Sequence, residues 1–392
     1  MATIPAPSSG SQSALRGLNT AAITAALTSG GPQLQAELAR VTGLSRATVS
    51  NIVTAEVAAG RYRTEKVLHH CRWGQLISLA PADWVVVGID IGRTHLRMAG
   101  WDTARQAFGE VEVSLESHHR PVDTLRLASE LLDGLVADAG LRRTQVRRVG
   151  IAVPASIGLD GRVVQQAVLR EWSEMDLAGA AAQALRIDVV VDNDANLGAL
   201  AHAQEGGEGT LVYLKVASGI GAGILVGDRL YHSTSGLVGE LGHVPVLDGG
   251  QMCYCGSRGC LETLASTRAV VAAYSHVHGV DATTEEVMKA LADGDLAALR
   301  IVEEAGAALG GVLAVVCTLL SPDTVVIGGT LAQAGPPLVD AITASVRKRA
   351  LPAVSGATRF VLAGRASRAE MVGACIAALT PPEGSAQARF QP

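Results

Sequence analysis

The chain has 392 residues, of which 48% are hydrophobic and 18% are charged, and its formal net charge is −5. This composition is typical of a globular protein rather than a disordered one, and the length predicts two or three domains. The sequence shows neither a basic-then-apolar leader nor an uncharged apolar run of about 20 residues, so we expect a cytoplasmic protein with no membrane partner.

The charge is distributed unevenly along the chain. Residues 1–80 carry seven Lys and Arg against three Asp and Glu, a balance of +4, which leaves −9 for residues 81–392. A basic head on an acidic body predicts a small nucleic-acid-binding domain joined to a domain with another task. Residues 1–13 are rich in Ser, Pro and Gln and predict a flexible tail.

Three short helical patterns within residues 14–80 predict a helix-turn-helix domain and a linker. The helices are expected over residues 19–28, 33–41 and 46–59. Between the second and the third, "TGLS" predicts a turn in which Gly43 adopts a positive φ and Ser45 caps the next helix. The third helix is expected to bury Val49, Ile52, Val53 and Val57.

The start of the third helix is where a recognition helix meets base edges in the major groove. We expect Arg46, Thr48, Ser50 and Asn51 to be exposed there, with Arg46 suited to guanine and Asn51 to adenine. A helical hairpin with no role in DNA binding is the alternative interpretation. The basic residues that follow predict either a β wing touching phosphates or a linker, and they are Arg61, Arg63, Lys66 and Arg72.

From residue 84 onward, strand patterns alternate with helix patterns. "WVVVGIDIGRTHLRMAGWD" predicts two strands around an Asp-x-Gly turn, in which Asp90 faces a metal–phosphate group and Gly92 lets the backbone approach. Taken singly, each glycine loop is more often a plain turn than a phosphate site, but in this order the loops predict an α/β fold whose two lobes close on a nucleotide. The candidate nucleotide contacts are Asp90, Gly92, Thr94, Gly219, Gly221, Gly328 and Gly329.

The lobes are expected to divide near residue 203. The first lobe is predicted over residues 84–203, with a C-terminal helix at about 368–380 returning to it. The second lobe is predicted over residues 204–367 and contains a cysteine-rich loop.

Three of the six cysteines of the chain fall within eight positions of that loop. Together with an upstream histidine they supply one nitrogen and three sulfurs, the donor set of a closed, structural tetrahedral zinc site. A disulfide is the less favoured alternative because the cytoplasm is reducing, and the density of cysteines argues against inert thiols. The predicted zinc ligands are His243, Cys253, Cys255 and Cys260.

Two further segments carry a family resemblance. "GLVGELGH" at 236–243 and "CYCGSRGCLE" at 253–262 match the motifs Gly-x-x-Gly-Glu-x-Gly-His and Cys-x-Cys-Gly-x-x-Gly-Cys-x-Glu. The chain therefore resembles the ROK (repressor, open reading frame, kinase) family. The resemblance implies a two-lobed actin-like ATPase/sugar-kinase α/β fold, here preceded by an all-α winged helix-turn-helix domain. That extension is typical of the repressor branch, such as regulators of xylose and N-acetylglucosamine genes.

The resemblance also implies a sugar site at "DNDAN", residues 192–196. Asp194 would take the proton from the attacking sugar hydroxyl if kinase activity is retained, and the neighbouring candidates would bind other hydroxyls. Taken alone, "DNDAN" is better explained as a strand-to-helix turn with Asp as the helix cap, and the other motifs are what favour the sugar site. The implied sugar contacts are Asn193, Asp194, Glu240, His243 and Glu262.

The nucleotide half departs from the pattern of the kinase members. Arg93 replaces the second Gly of Asp-x-Gly-Gly-Thr, Ser218 stands where Thr is usual, and Ala155 stands where Gly is common. We therefore favour a sugar-responsive repressor that binds operator DNA as a homodimer or homotetramer. The alternatives are an ATP- and Mg²⁺-dependent sugar kinase, with or without DNA binding, and an activator that does not respond to sugar.

Overall fold

The computed structural model describes residues 19–380, except for 21, 25, 28–30, 59–61, 70–71, 80–83, 103–106, 166–168, 174, 204–208, 228 and 365–367. The predicted tail at residues 1–13 lies outside this range. The chain divides into two compact units, Met1–Asp83 and Trp84–Pro392, and each is described by itself.

The N-terminal unit contains the predicted helix-turn-helix. The described residues between 19 and 27 are helical, and α1 (Gln35–Thr42) and α2 (Arg46–Ala58) follow. Gly43 has φ 69°, and Ser45 Oγ accepts a hydrogen bond from Thr48 N at 3.1 Å, so the predicted turn and cap are confirmed. Ile23, Leu38, Val49, Ile52 and Val53 form the centre of its core.

One core prediction for α2 is wrong. Val57 is 36% exposed, whereas Glu56 is only 6% exposed. The buried stripe runs from Val49 through Ile52 and Val53 to Glu56, which are the first, fourth, fifth and eighth positions of a helical face. Val57 stands one position beyond that stripe, at the edge of the face.

Strands complete the N-terminal unit and correct its description as all-α. β2 (Tyr62–His69) and β3 (Arg72–Leu79) form an antiparallel hairpin, and β1 (Gln33–Leu34) pairs with β3 on its other side. The unit is therefore a winged helix-turn-helix with a three-stranded sheet. The side chains of Tyr62 and Ile77 are buried in the helical core, which holds the hairpin against the helices.

The first lobe of the second unit is built on a five-stranded sheet. Its order is β10-β7-β4-β5-β6, in which β4, β7 and β10 are parallel and β5 and β6 are antiparallel. β4 is buried along its whole length, as expected of a central strand covered on both faces. The elements are β4 (Val85–Ile91), β5 (His95–Asp102), β6 (Ala107–Ser114), α3 (Pro121–Asp138), β7 (Val146–Val153), β8 (Ser156–Ile157), β9 (Val163–Gln165), α4 (Leu177–Leu185), β10 (Asp188–Asn193) and α5 (Asp194–Ala201).

The second lobe is built on another five-stranded sheet, of order β13-β12-β11-β14-β15. Its helices pack around α9 (Leu296–Leu320). Among the described residues, this helix is the one that is long and apolar enough to cross a membrane. However, 56% of its most apolar 18-residue stretch is buried, as in the core helix of a folded unit. The elements are β11 (Thr210–Val216), β12 (Ile220–Val226), β13 (Arg229–Leu230), α6 (Glu262–Ala265), α7 (Thr267–His278), α8 (Thr284–Ala292), α9, β14 (Thr324–Gly328), α10 (Pro336–Arg349), α11 (Pro352–Ala357) and β15 (Arg359–Leu362).

A last helix, α12 (Ala369–Leu379), packs on the first sheet. A Cβ at Gly150 of β7 would lie 2.0 Å from Ala374 O, and one at Gly373 would lie 1.7 Å from Leu197 O on α5. These glycines allow α12 to approach both β7 and α5 more closely than any side chain would permit. α5 also contacts β11 and β12, so it links the two sheets at the level of the cleft.

Candidate ligand cleft and metal site

A cavity of about 1080 Å³ lies at the strand ends of the second unit, between the two sheets. The predicted nucleotide contacts and the predicted sugar contacts both line this cavity, with one exception. The exception is Gly328, which is absent from the wall because it packs inside β14 against the ring of Tyr213. The predicted residues that the structure brings to this cavity are Asp90, Gly92, Thr94, Asn193, Asp194, Gly219, Gly221, Glu240, His243, Glu262 and Gly329.

Asn193 and Asp194 occupy the junction of β10 and α5. The cap of α5 is Asn193 rather than an aspartate: Asn193 Oδ1 accepts from Ala195 N at 2.8 Å and from Asn196 N at 3.3 Å. Its Nδ2 donates to Ala155 O at 3.1 Å. Asn193 therefore caps α5 and also lines the cleft. Because Asn193 provides the cap, the side chain of Asp194 makes other contacts.

Glu240 lies in the cleft on the segment just before the short 3₁₀ helix Leu241–His243. Its Oε1 accepts a hydrogen bond from Ser156 Oγ at 2.5 Å, and its Oε2 lies 3.8 Å from His243 Nε2. Burial raises the pKa of Glu240, although the Ser156 hydrogen bond and His243 oppose the rise. Ser156 is a contact that sequence reasoning missed, because a single serine in a two-residue strand gives no pattern.

Glu262 lies at the start of α6, on the opposite side of the same loop. It is 4% exposed, and its Oε2 accepts from Ile220 N at 3.1 Å, at the start of β12. Burial also raises the pKa of this carboxyl, against the effects of the Ile220 hydrogen bond, His243 and Arg268. Glu240 and Glu262 thus place two partly desolvated acceptors in one cleft, a combination suited to binding hydroxyl groups.

The histidine and the three cysteines predicted to bind zinc come together. One ligand atom from each of His243, Cys253, Cys255 and Cys260 lies within 4.8 Å of the others. Cys253 Sγ is 3.5 Å from His243 Nδ1, and Cys255 Sγ is 3.7 Å from Cys260 Sγ. A tetrahedral site with Zn–S bonds of 2.3 Å needs sulfur separations of about 3.8 Å.

This donor set therefore fits a structural zinc ion, and the disulfide alternative is not favoured because the three thiols are free. Burial and the neighbouring thiols raise the pKa of Cys260 to about 12. Zinc binding would supply the positive charge that favours its thiolate. His243 turns Nδ1 to the cysteines and Nε2 to Glu240, so the metal site and the cleft share one side chain.

A histidine packs against the predicted phosphate loop. Asp90 Oδ2 lies 3.0 Å from His95 Nε2, and the His95 ring lies so close to Gly92 that a Cβ there would be 2.1 Å away. Burial by itself raises the pKa of Asp90, but the His95 hydrogen bond and the charges of Lys215, His95 and Arg97 outweigh it, so the pKa is lowered.

Lys215, on β11, is a cleft residue that sequence reasoning did not select. Its Nζ lies 2.7 Å from Asp194 Oδ2 and 3.2 Å from Glu370 Oε1 on α12. Burial alone would lower the pKa of Lys215, but Asp194, Glu370 and Asp90 raise it, so the ammonium stays charged. Burial raises the pKa of Asp194, against the opposing effect of Lys215. The signal in the sequence is one lysine inside the apolar run "TLVYLKVA".

These contacts bear on ATP and Mg²⁺, the cofactors expected of a kinase. A metal–nucleotide needs carboxylates free to meet the cation and an open backbone loop for the phosphates. Here Asp194 is paired with Lys215, and Asp90 is paired with His95, whose ring packs against Gly92. The residues present do not fit a metal–nucleotide.

The DNA-contact candidates lie on the first two turns of α2. Arg46, Ser50 and Asn51 are exposed, and their spacing places them on one side of the helix. Thr48 is only partly exposed, and its Oγ1 lies 2.9 Å from Ser45 Oγ, so its hydroxyl is part of the helix cap.

Comparison with known proteins gives relatives of two kinds. A family model described as ROK family matches residues 86–380. A glucokinase of Halalkalibacterium halodurans is 28% identical over 73% of this chain and 92% of its own length. A xylose repressor of Caldicellulosiruptor bescii is 26% identical over 87% of this chain and 90% of its own. The solved structure of a ROK family transcriptional regulator, a homologue of the Escherichia coli Mlc protein, matches with a TM-score of 0.67 at 23% identity, covering 93% of this chain and 96% of that one.

Proposed function

The chain belongs to the ROK family, and from that premise we propose that it is a sugar-responsive transcriptional repressor. The observation that carries the proposal is the presence of a winged helix-turn-helix unit on the same chain as a polar cleft of sugar-kinase type. The match to the xylose repressor covers 87% of the chain, whereas the match to the glucokinase covers 73%. The additional length is what a DNA-binding unit requires.

Operator DNA is the proposed partner of the N-terminal unit. Arg46 and Asn51 stand at the exposed N-terminal turns of α2, where a bidentate contact to guanine or adenine is geometrically available. Lys66 and Arg63 are exposed on the β2 strand of the wing and are suited to phosphate. A palindromic operator requires a symmetric pair of such units, so we propose a homodimer or homotetramer in the cytoplasm.

A sugar or sugar derivative is the proposed ligand of the cleft. The cleft offers carboxylate acceptors from Asp194, Glu240 and Glu262. It also offers the side chains of Asn193 and His243, which can contain both hydrogen-bond donors and acceptors. A polyol needs both kinds of partner because each of its hydroxyls must be paired when it is buried. The ligand changes DNA affinity only to the extent that it binds one arrangement of the lobes more tightly than another.

The test combines DNA binding with a sugar panel. Fluorescence anisotropy on DNA from upstream of the protein's own gene should show sequence-selective, salt-sensitive binding that one sugar weakens. The matched control is a scrambled duplex of the same composition. Equal affinity for both duplexes at every salt concentration would reject the proposal, and operator binding unchanged by every sugar would favour an activator that does not sense sugar.

A sugar kinase is the second candidate, favoured by the presence of Asp194 in the cleft and by the glucokinase match over 92% of that relative's length. A coupled ADP-release assay across hexoses, pentoses and N-acetyl sugars separates it from the repressor. Turnover that disappears in Asp194→Ala would establish the kinase. Sugar-dependent thermal stabilisation without turnover would support the sensor.

A further inference from the structure

The ammonium of Lys215 contacts two carboxylates of the other lobe, those of Asp194 and Glu370, and its charge also acts on a third, that of Asp90. Asp194 begins α5, Glu370 lies on α12, and Asp90 lies near the end of β4, whereas Lys215 belongs to β11 of the second sheet. The three carboxylate side chains are at most 10% exposed, and that of Lys215 is 15% exposed. The contact therefore joins the two lobes at the floor of the cleft.

Such a cluster needs an internal positive charge. Burying an ionised carboxylate without a cation or several hydrogen bonds is strongly unfavourable. Asp90 has a partner for only one oxygen: its Oδ1 is buried and has no hydrogen bond to any residue that the structure describes. Glu370 accepts from the buried Tyr213 hydroxyl at 3.2 Å and meets Lys215 at the same distance. Lys215 is the one cation in contact with both Asp194 and Glu370 among the described residues.

We propose that Lys215 is a resident cation that occupies the position between Asp90, Asp194 and Glu370 which a divalent metal ion would need, so that the cleft binds its ligand without a metal–nucleotide. The inference rests on the cleft of the proposed function but not on its DNA binding. On this inference the cleft does not fit Mg²⁺ and ATP because Lys215 is present, and not only because the glycine loop is altered.

The same contact changes the chemistry open to Asp194. A carboxylate whose Oδ2 is held by an ammonium at 2.7 Å is a poorer proton acceptor than an equally buried carboxylate without that partner, because the ammonium favours the ionised form. Asp194 therefore serves as a fixed acceptor for a ligand hydroxyl, and Lys215 is its positioning residue.

The test measures binding of Mn²⁺, which prefers carboxylate ligands and is detected by electron paramagnetic resonance. The zinc-loaded full-length protein is titrated as wild type, Lys215→Met and Lys215→Arg. Removing the ammonium leaves uncompensated carboxylates, so Lys215→Met should bind Mn²⁺ about tenfold or more tightly than wild type. Lys215→Arg keeps the cation and should show no gain. Adding Asp194→Asn to Lys215→Met should abolish the gain.

A second variant guards against loss of folding in Lys215→Met. The pair Lys215→Met/Glu370→Gln removes one charge of each sign, and the Mn²⁺ gain should persist at Asp90 and Asp194 in that background. Either of two results would overturn the proposal: wild type binds Mn²⁺ in a manner that Asp194→Asn abolishes, or the folded variants bind it no better than wild type. Operator binding is measured on the same samples. Its result does not depend on Mn²⁺ binding and tests the repressor function alone.

Discussion

His243 Nδ1 lies 3.5 Å from Cys253 Sγ, while the Nε2 atom of the same ring points toward the carboxylate of Glu240 in the cleft. One imidazole thus belongs to both the cysteine cluster and the ligand site. Zinc bound at Nδ1 would fix the ring and leave its other nitrogen for the cleft, which ties metal content to ligand binding.

The first prediction concerns that link. Cys255→Ser should lose the single zinc ion expected per chain, and the response to sugar should be lost with it, because the loop that carries Glu240, His243 and Glu262 loses its cross-link. Elemental analysis and sugar-dependent thermal shift measure the two effects. Cys317→Ala is the matched control, since Cys317 is buried in α9 outside the cluster. A Cys255→Ser protein that retained its zinc and its sugar response would contradict the shared role.

Glu240 provides a prediction about pH. Burial raises its pKa above the ordinary 4.5, so the folded state takes up a proton more readily than the unfolded chain does. The contribution of Glu240 to the free energy of unfolding is therefore most favourable below pH 4.5 and is lost as the pH rises through its folded-state pKa. Glu240→Gln removes this loss, and its melting temperature should exceed that of wild type by about 2 °C at pH 8 but not at pH 4.

The same variant should bind sugar less tightly, since an acceptor for a hydroxyl is weakened. Stability and binding would then change in opposite directions, as is common for residues in functional sites. Calorimetric unfolding at the two pH values, with sugar titration at pH 8, measures both effects. A stability difference independent of pH would show that ionisation of Glu240 is not its cause.

Asn51 and Arg46 provide the prediction for DNA recognition. Replacing either with Ala should weaken operator binding by about 1–3 kcal/mol, or roughly 5- to 150-fold, and relax preference at one base pair. Anisotropy titration against wild-type and single-base variant duplexes measures this effect. Arg126→Ala is the charge-matched control, because Arg126 lies exposed on α3 and pairs with Glu130 there. Equal losses for specific and scrambled DNA would indicate phosphate contacts instead.

Gly373 provides a prediction about the packing of α12. A Cβ would lie 1.7 Å from Leu197 O, so Gly373→Ala must push α12 away from α5, and we expect destabilisation of about 3 kcal/mol or more. The matched control is Gly134→Ala on α3, where a Cβ meets nothing within 4 Å. That change should stabilise by up to about 1 kcal/mol because Ala is the better helix former. Urea unfolding of both variants measures these changes in the free energy of unfolding. No change in Gly373→Ala would show that α12 and α5 are loosely packed.

The sequence by itself determined the features that depend on close neighbours in the chain. The turn at Gly43 and Ser45 and the clustering of the predicted zinc ligands from Cys253 to Cys260 follow from short spacings, because the backbone limits the relative positions of residues a few positions apart. Helical periodicity likewise placed α1 and α2 within a few residues, although it put Val57 in the core in place of Glu56. Asn193 and Asp194 were placed in the cleft because they stand at the end of a recognisable strand, whereas Glu240, His243 and Glu262 were placed there by the family motifs.

Only the tertiary structure decided which distant groups meet. Lys215 and Glu370 are separated by 154 intervening residues, and no local pattern shows that β11 and α12 bring them within 3.2 Å. His95 is only five residues from Asp90, but the direction in which its ring turns depends on side-chain packing and not on sequence spacing. An isolated lysine in an apolar strand signals that a counter-ion exists, but its identity depends on how the sheets and helices pack, and that packing changes the expected chemistry of Asp194.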